Sequence, residues 1–283
     1  MFKKVFKRDF KAIRDIWWIV AVSALALTVV GALVMRLCLE AVSSEDASVG
    51  GMLLSSLGII GGGICFVAVI ASIGVTWLLA HYHFYKNFYT DEGYLTFTLP
   101  VSRKTLHLSK TVNSVLWQTA HILLLLLCVL IAAVIFIVGA QTGESVGGSV
   151  GIFESLGISF GGWGVLYIVL LAIATVVSLA LSTCLVQLCI TVGAVIAQKH
   201  KLLVSIGIYY LVGGVFSTVS QIGMFLGGGE LVAKLFELIV IGDGLSHFTV
   251  LVMLLWLVAG MATLTVALFL AVQHLIDRKL NLA

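Results

Sequence analysis

The residues that could do chemistry are concentrated in one polar segment of this chain, residues 84–110. The chain carries 16 basic and 13 acidic side chains among its 283 residues. The segment holds six of these charges and the only proline: Lys86, Asp91, Glu92, Arg103, Lys104, Lys110 and Pro100. Charges of both signs in a small area fix the register of contacts between proteins. The composition therefore predicts that this segment recognises a separate, soluble partner.

The sequence lacks the motifs that would make this chain an enzyme. A nucleotide-binding loop would read Gly, four residues, then Gly-Lys-Ser/Thr, and no such run occurs. There is no nucleophile elbow, paired His-Glu helix or His-Cys cluster. Cysteines lie in apolar runs without a Cys-x-x-Cys pair, which favours packed small side chains over a disulfide or zinc site. We expect no catalytic residue, metal, bound cofactor or nucleic-acid partner for this chain.

The elements that must carry the polar segment are membrane spans. The chain is 61% hydrophobic, far above the average of soluble proteins. Six continuous apolar runs reach the approximately 20 residues needed to cross a hydrocarbon layer of about 30 Å. They lie at roughly 16–37, 53–80, 111–139, 161–197, 202–226 and 248–273. Continuous rather than alternating apolar residues favour helices over a barrel. The predicted fold class is an all-α integral membrane protein, with six transmembrane helices in a single domain over residues 1–283.

The fourth run is about 37 residues long. That length is too short for two crossings plus a turn. We therefore predict one long or tilted helix.

The placement of Lys and Arg predicts the orientation of the spans. Fourteen of the 16 basic residues fall on one side: Lys3, Lys4, Lys7, Arg8, Lys11, Arg14, Lys86, Arg103, Lys104, Lys110, Lys199, Lys201, Arg278 and Lys279. The other side carries only Arg36 and Lys234, together with most of the acidic residues. The positive-inside rule places both termini and the 82–110 loop in the cytosol of a bacterial-type cell (plasma) membrane.

Residues 1–15 are predicted to form an amphipathic helix in the inner headgroup layer. Its apolar residues share one helical face: Phe2, Phe6, Phe10 and Ile13. Trp17 and Trp18 would anchor it at the interface. A simple basic flank to the first span explains the charges equally well.

Few polar residues inside the spans could line a route through the membrane. The candidates for a substrate path are His121, Gln118, Gln187 and Gln221. His121 follows Trp117 by about one helical turn, so it could line a cavity or hydrogen-bond a neighbouring helix. Two glycine pairs, Gly58 with Gly62 and Gly223 with Gly227, have the spacing that lets helices approach closely. This spacing is a weak signal in a chain with 29 glycines.

Pro100 divides the polar segment. A proline disfavours helical conformation at Leu99, so any helix from the second span must end before it. Ser102 can cap the N-terminus of a helix that runs through Lys110 into the third span. The pattern predicts a short helix on the membrane surface, a turn, and a second helix descending into the bilayer.

The order of residues in this segment resembles a loop in a known family. The run is Asp91-Glu92-Gly93, a hydrophobic stretch, Pro100-Val101-Ser102-Arg103, and a lysine entering the next helix. It is similar to the loop after the second helix in permeases of the type-two ABC exporter family. The match covers about 20 residues. Elsewhere the likeness is one of architecture: an amphipathic N-terminal helix, six spans, and an acidic excursion between spans five and six.

The resemblance implies the permease subunit of an ATP-driven, ABC-type exporter that works by alternating access. In that family the loop forms a coupling helix that docks on a separate ATPase subunit, which binds ATP and magnesium. The residues predicted to couple to the ATPase are Lys86, Asp91, Glu92, Gly93, Pro100, Arg103 and Lys104, all of which except Lys86 lie in the run that resembles this loop. The second partner implied is another copy of this chain or a similar permease. The excursion at 227–247 would form re-entrant helices near the outer leaflet, or else an ordinary amphipathic surface helix.

Spans without buried charge suit an amphipathic or hydrophobic cargo, such as an antimicrobial peptide or a lipid-like molecule. Two other functions stay open from the residues alone. One is an ion-coupled secondary carrier, which the uncharged spans disfavour because such carriers usually need an ionisable residue at depth. The other is a non-transporting membrane partner or sensor that recruits a cytosolic protein through the same loop.

Overall fold

A computed structural model describes residues 2–43, 49–98, 100–140, 162–197, 199–223 and 247–279. These residues form seven α-helices and no strand. The helices are α1 (Phe2–Ser43), α2 (Val49–Tyr89), α3 (Asp91–Phe97), α4 (Arg103–Ala140), α5 (Gly162–Ile196), α6 (Lys201–Gly223) and α7 (His247–Lys279). All except α3 are long and apolar enough to cross a membrane. The described residues are therefore all-helical, and their six long apolar helices fit a multi-pass membrane protein.

Each predicted span lies largely within one of these six helices. Helices prevail because a backbone in lipid must satisfy its hydrogen bonds within the segment. The fourth predicted span is confirmed as a single helix, α5. The predicted excursion at 227–247 falls almost wholly outside the described residues.

The N-terminal helix and the first span are one continuous helix, α1. No glycine or proline precedes Gly31, so nothing in the sequence interrupts the hydrogen-bond ladder between the two parts. In the first turns of α1, the phenylalanine rings on this face pack against one another. The ring centroids of Phe2 and Phe6 are 5.9 Å apart. Phe10 then stacks on Trp117 of α4 at 4.7 Å. This face therefore packs partly on protein, and its position in the headgroup layer stays a prediction.

The chain divides into two compact units. The first comprises Met1–His83 and Asn113–Ser159. Its core joins α1, α2 and α4 through the following buried residues: Ile13, Trp17, Ala21, Ala24, Val69, Trp117, Leu124 and Cys128. Trp17 and Trp117 anchor this core with ring centroids 4.9 Å apart, a type of contact that contributes about 0.5–1.5 kcal/mol beyond its burial.

Small residues bring α1 and α2 into close contact in this first unit. A methyl group at Gly62 would lie 2.9 Å from Met35 Cβ and 3.0 Å from the Gly31 carbonyl oxygen. A methyl group at Gly58 would collide with the Cys38 side chain. The predicted role of Gly58 and Gly62 in close helix approach is confirmed, because neither position has room for a side chain. The second predicted pair ends at residue 227, outside the described residues.

The second unit comprises Phe84–Val112 and Phe160–Ala283. Within it, α5 packs against both α6 and α7. The end of α5 and the start of α6 approach each other closely, because a methyl group at Gly193 would lie 2.7 Å from Ser205 Cα. Ser205 Oγ donates to the Lys201 carbonyl of its own helix at 2.8 Å and also lies 3.3 Å from the Ile190 carbonyl oxygen of α5. His200 turns the chain into α6 with a φ of +58°, in the left-handed region that non-glycine residues seldom adopt.

Candidate functional site

The 84–110 segment consists of the last turns of α2, the short helix α3, a bend at Pro100, and the first turns of α4. Helix α3 ends at Phe97, before Pro100 as predicted. Ser102 caps α4, since its Oγ accepts from the Thr105 N–H at 3.3 Å and its carbonyl accepts from the Leu106 N–H at 3.1 Å. The predicted N-cap is confirmed. The predicted loop is therefore built almost entirely of helix.

Gly93 allows α3 to start directly beside the end of α2. Its N–H donates to the Thr90 carbonyl at 2.8 Å. A methyl group at this position would lie 2.7 Å from the Phe88 carbonyl oxygen, closer than a carbon side chain can approach a backbone atom. Glycine is needed here because the two backbones come too close for any side chain.

Aromatic side chains fasten α3 to α2. Phe84 and Phe88 are both fully buried and stack with ring centroids 5.0 Å apart. Phe88 meets Phe97 of α3 edge to face at 5.4 Å. Tyr89, the last residue of α2, shares a hydrogen bond of 2.7 Å with the Thr191 hydroxyl of α5. The end of α2 is thereby held both to α3 and to α5.

Arg103 joins α3 and α4 to the end of α7. Its guanidinium lies over the Phe97 ring, 5.4 Å from the centroid. Its Nη1 donates to the carbonyl oxygens of Ile276 at 3.1 Å and Asp277 at 3.4 Å. These carbonyls belong to the last turn of α7, where an intrahelical donor is lacking. Sequence reasoning assigned Arg103 to a partner contact and did not find this intrachain role.

The remaining predicted coupling residues differ in exposure. Lys86 and Glu92 form an ion pair of 2.8 Å, with side chains 47% and 49% exposed. Such a surface pair contributes only about 0–1 kcal/mol to folding, so both groups stay accessible to a partner. Lys104 and Pro100 are exposed. The Asp91 side chain lies outside the described part of the structure.

A buried polar cluster lies behind this segment, and sequence reasoning found only one of its members, Gln187. Gln187 Oε1 accepts from His107 Nε2 at 3.2 Å and from Thr111 Oγ1 at 3.0 Å. His107 also stacks flat on Phe269 of α7, with centroids 4.4 Å apart and an interplanar angle of 7°. The cluster ties α4 to α5 and α7 by directional contacts.

His121 is hydrogen-bonded at both ring nitrogens. Nε2 lies 2.9 Å from Ser72 Oγ, and Nδ1 lies 3.0 Å from Thr76 Oγ1, with Ser72 and Thr76 one turn apart on α2. The ring is 1% exposed. Of the two alternatives for His121, this geometry matches a hydrogen bond to a neighbouring helix. Its place on a cargo route stays a prediction.

The other candidates for a substrate path have different surroundings. Gln118 is buried on the same face of α4 as His121. Gln187 belongs to the cluster with His107. Gln221 is exposed, and its amide donates to Ser217 Oγ on its own helix at 3.1 Å. Of the four candidates, Gln118 and His121 share a buried face of α4 in the first unit.

Within the described ranges, no group of three or more His, Cys, Asp or Glu side chains could hold a metal ion. All five cysteines are free thiols. Comparisons with protein-family models, curated proteins and solved structures found no match to this chain. In the part of the chain that the structure describes, the fold fits the class of multi-pass helical membrane proteins, with six helices long and apolar enough to span.

Proposed function

We propose that this chain is the membrane-spanning permease subunit of an ATP-driven, ABC-type exporter. The observation that carries the proposal is the construction of the 84–110 segment. Part of the segment is held by contacts with neighbouring helices, and another part presents charged side chains that a partner could reach. A segment that passes force from a separate ATPase to membrane spans needs both properties.

Stiffness follows from contacts that resist bending of the segment in different directions. Gly93 leaves no gap between α3 and the end of α2. The Arg103 guanidinium contacts Phe97 on one side and the last carbonyls of α7 on the other. A push on α3 would therefore displace neighbouring helices instead of deforming the segment.

Accessible charge supplies the docking side. Lys86 and Glu92 are about half exposed and Lys104 is exposed, and mixed charges give an interface its register and partner choice. Lys86 and Glu92 form an ion pair with each other. A partner would have to replace this pair with an acidic group for Lys86 and a basic group for Glu92.

The mechanism we propose is alternating access. Closure of two ATPase subunits around ATP and magnesium would press on the segment, and α2 and α4 would reorient because they continue directly from it. Two copies of this chain, or one copy and a similar permease, would enclose the route for an amphipathic or hydrophobic cargo. The chain itself would contribute no hydrolytic residue. Both termini and the segment would face the cytosol of a bacterial-type cell membrane.

The proposal is tested by purifying the tagged chain from its native membrane in mild detergent and identifying bound proteins by mass spectrometry. We expect a stoichiometric subunit with a nucleotide-binding loop and magnesium-dependent ATP hydrolysis in the complex. Glu92→Lys should reduce the bound ATPase about tenfold, because a reversed charge at an interface costs on the order of a kcal/mol or more.

Asp15→Lys is the matched control, since the Asp15 side chain is 72% exposed and lies outside the segment. It should leave the complex intact. If transport in vesicles is abolished by a proton ionophore and does not depend on ATP, the result would instead favour an ion-coupled carrier. A complex without an ATPase would favour a non-transporting membrane partner.

A further inference from the structure

A cavity of about 470 Å³ lies between the first turns of α4 and the last turns of α7. This volume is within the range of about 300–1,000 Å³ that is typical of sites for small ligands. Its lining consists of Lys104, Thr105, Leu108, Phe269, Leu270, Gln273, His274 and Asp277. All of these residues belong to the second unit, so this open cleft is formed within one compact unit. We call it the α4–α7 cavity.

The cavity carries one charge of each sign. Lys104 is exposed, and no ion pair joins it to Asp277 in the described part of the chain. The Asp277 carboxylate is oriented by Gln273, whose Nε2 donates to Oδ2 at 2.9 Å. That contact occupies one carboxylate oxygen and leaves the other for a ligand. His274 adds an exposed imidazole, which can donate to an oxyanion.

Apart from Thr105, the rest of the lining is apolar. Leu108 and Leu270 are 44% and 59% exposed, although they lie inside helices that are long enough to span. Phe269 is fixed by its flat stack on His107. The charged residues lie at the ends of the two candidate spans, which begin at Arg103 and finish at Arg278. Polar groups at span ends with apolar groups one turn deeper match the layering of a lipid headgroup above its acyl chains.

We propose that the α4–α7 cavity binds the headgroup of an aminophospholipid with a primary ammonium, such as phosphatidylethanolamine. The phosphate lies against Lys104 and His274, the ammonium donates to Asp277, and the acyl chains run down Leu108 and Leu270. A purely anionic headgroup would meet Asp277 unfavourably, and a quaternary ammonium has no N–H to donate. This inference depends on the chain spanning a membrane and not on the exporter proposal.

The test uses native mass spectrometry of the purified chain, titrated with phospholipids that share the same acyl chains. The headgroups are ethanolamine, its mono- and dimethylated forms, choline and glycerol. We expect ethanolamine to bind about tenfold more tightly than choline, with affinity falling as N–H donors are removed, since charge-assisted hydrogen bonds of this kind contribute roughly a factor of ten or more. This series needs no variant, so it cannot fail through misfolding.

Two substitutions assign the contacts. Asp277→Asn should abolish the preference for ethanolamine over choline, and Lys104→Gln should weaken all the phospholipids about tenfold. Asp15→Asn and Lys199→Gln remove exposed charges elsewhere and should change neither quantity. Equal binding of ethanolamine and choline lipids would overturn the proposal. Tightest binding of the glycerol headgroup, or an ethanolamine preference that survives Asp277→Asn, would overturn it as well.

Discussion

At the scale of single residues, Gly93 offers the clearest test of the 84–110 segment. Gly93→Ala places a methyl group 2.7 Å from the Phe88 carbonyl oxygen, so α3 must move away from the end of α2. We expect a loss of about 1–3 kcal/mol in the free energy of unfolding, as for other overpacked positions. Thermal unfolding in detergent, followed by circular dichroism, measures this loss.

Gly207→Ala is the control, because a methyl group at that helical position would have no atom of the described residues within 4 Å beyond its chain neighbours and the adjacent backbone of its own helix. It should be neutral or slightly stabilising, since alanine is the better helix former by about 1 kcal/mol. Equal behaviour of the two variants would show that α3 adjusts freely and is not held by Gly93.

Some residue roles could be predicted from sequence and others could not. Ser102 was predictable because an N-cap depends only on the residues that follow it. Arg103 was not, because its acceptor at Ile276 is 173 positions away. Gln187 was identified as a polar residue in a span, but its partner His107 is 80 positions away. Local chemistry is present in a sequence window, whereas pairing across the fold depends on packing that one sequence does not reveal.

At the scale of elements, Pro100 is expected to separate α3 from α4. Its ring fixes φ and removes a backbone donor, which prevents one helix from running through both elements. Pro100→Ala should let helix propagate through the bend and shift the docking side. We expect normal abundance in the membrane and normal binding of the ATPase, but no stimulation of ATP hydrolysis by cargo.

Val101→Ala is the matched control for that substitution, since it shortens a neighbouring side chain in the same bend and leaves the Pro100 ring in place. It should keep cargo stimulation. If Pro100→Ala also keeps full stimulation in reconstituted vesicles, the bend does not transmit force, even where the complex itself assembles.

The end of α2 shows which helix boundaries can be predicted from hydropathy and which cannot. The second span was predicted to end near residue 80, yet α2 continues to Tyr89. The added turns are mixed in polarity, but Phe84 and Phe88 on one face are fully buried. Apolar length locates a helix inside lipid. Beyond the lipid, burial against other helices decides where it ends, and that depends on neighbours remote in sequence.

At the scale of the whole molecule, orientation is the property to test. Fourteen of the 16 basic residues share one side under the predicted topology, so a membrane-impermeant thiol reagent should distinguish the two faces. In a background without the five native cysteines, Lys104→Cys should be labelled only after the cells are permeabilised. Ser149→Cys, in the stretch between the third and fourth spans, should be labelled in intact cells. Labelling of position 104 from outside intact cells would invert the topology.

The close contact between α5 and α6 has a consequence for how the protein is made. The α6 span is the least apolar of the six candidate spans. If it left the insertion machinery by itself, it would therefore gain the least free energy from entering lipid. Its neighbour α5 is synthesised just before it and contacts it at Gly193, where Ser205 Cα would lie 2.7 Å from a methyl group. We therefore expect α6 to enter the bilayer as the second half of a hairpin with α5. The bare backbone at Gly193 then matters during biogenesis as well as in the finished fold.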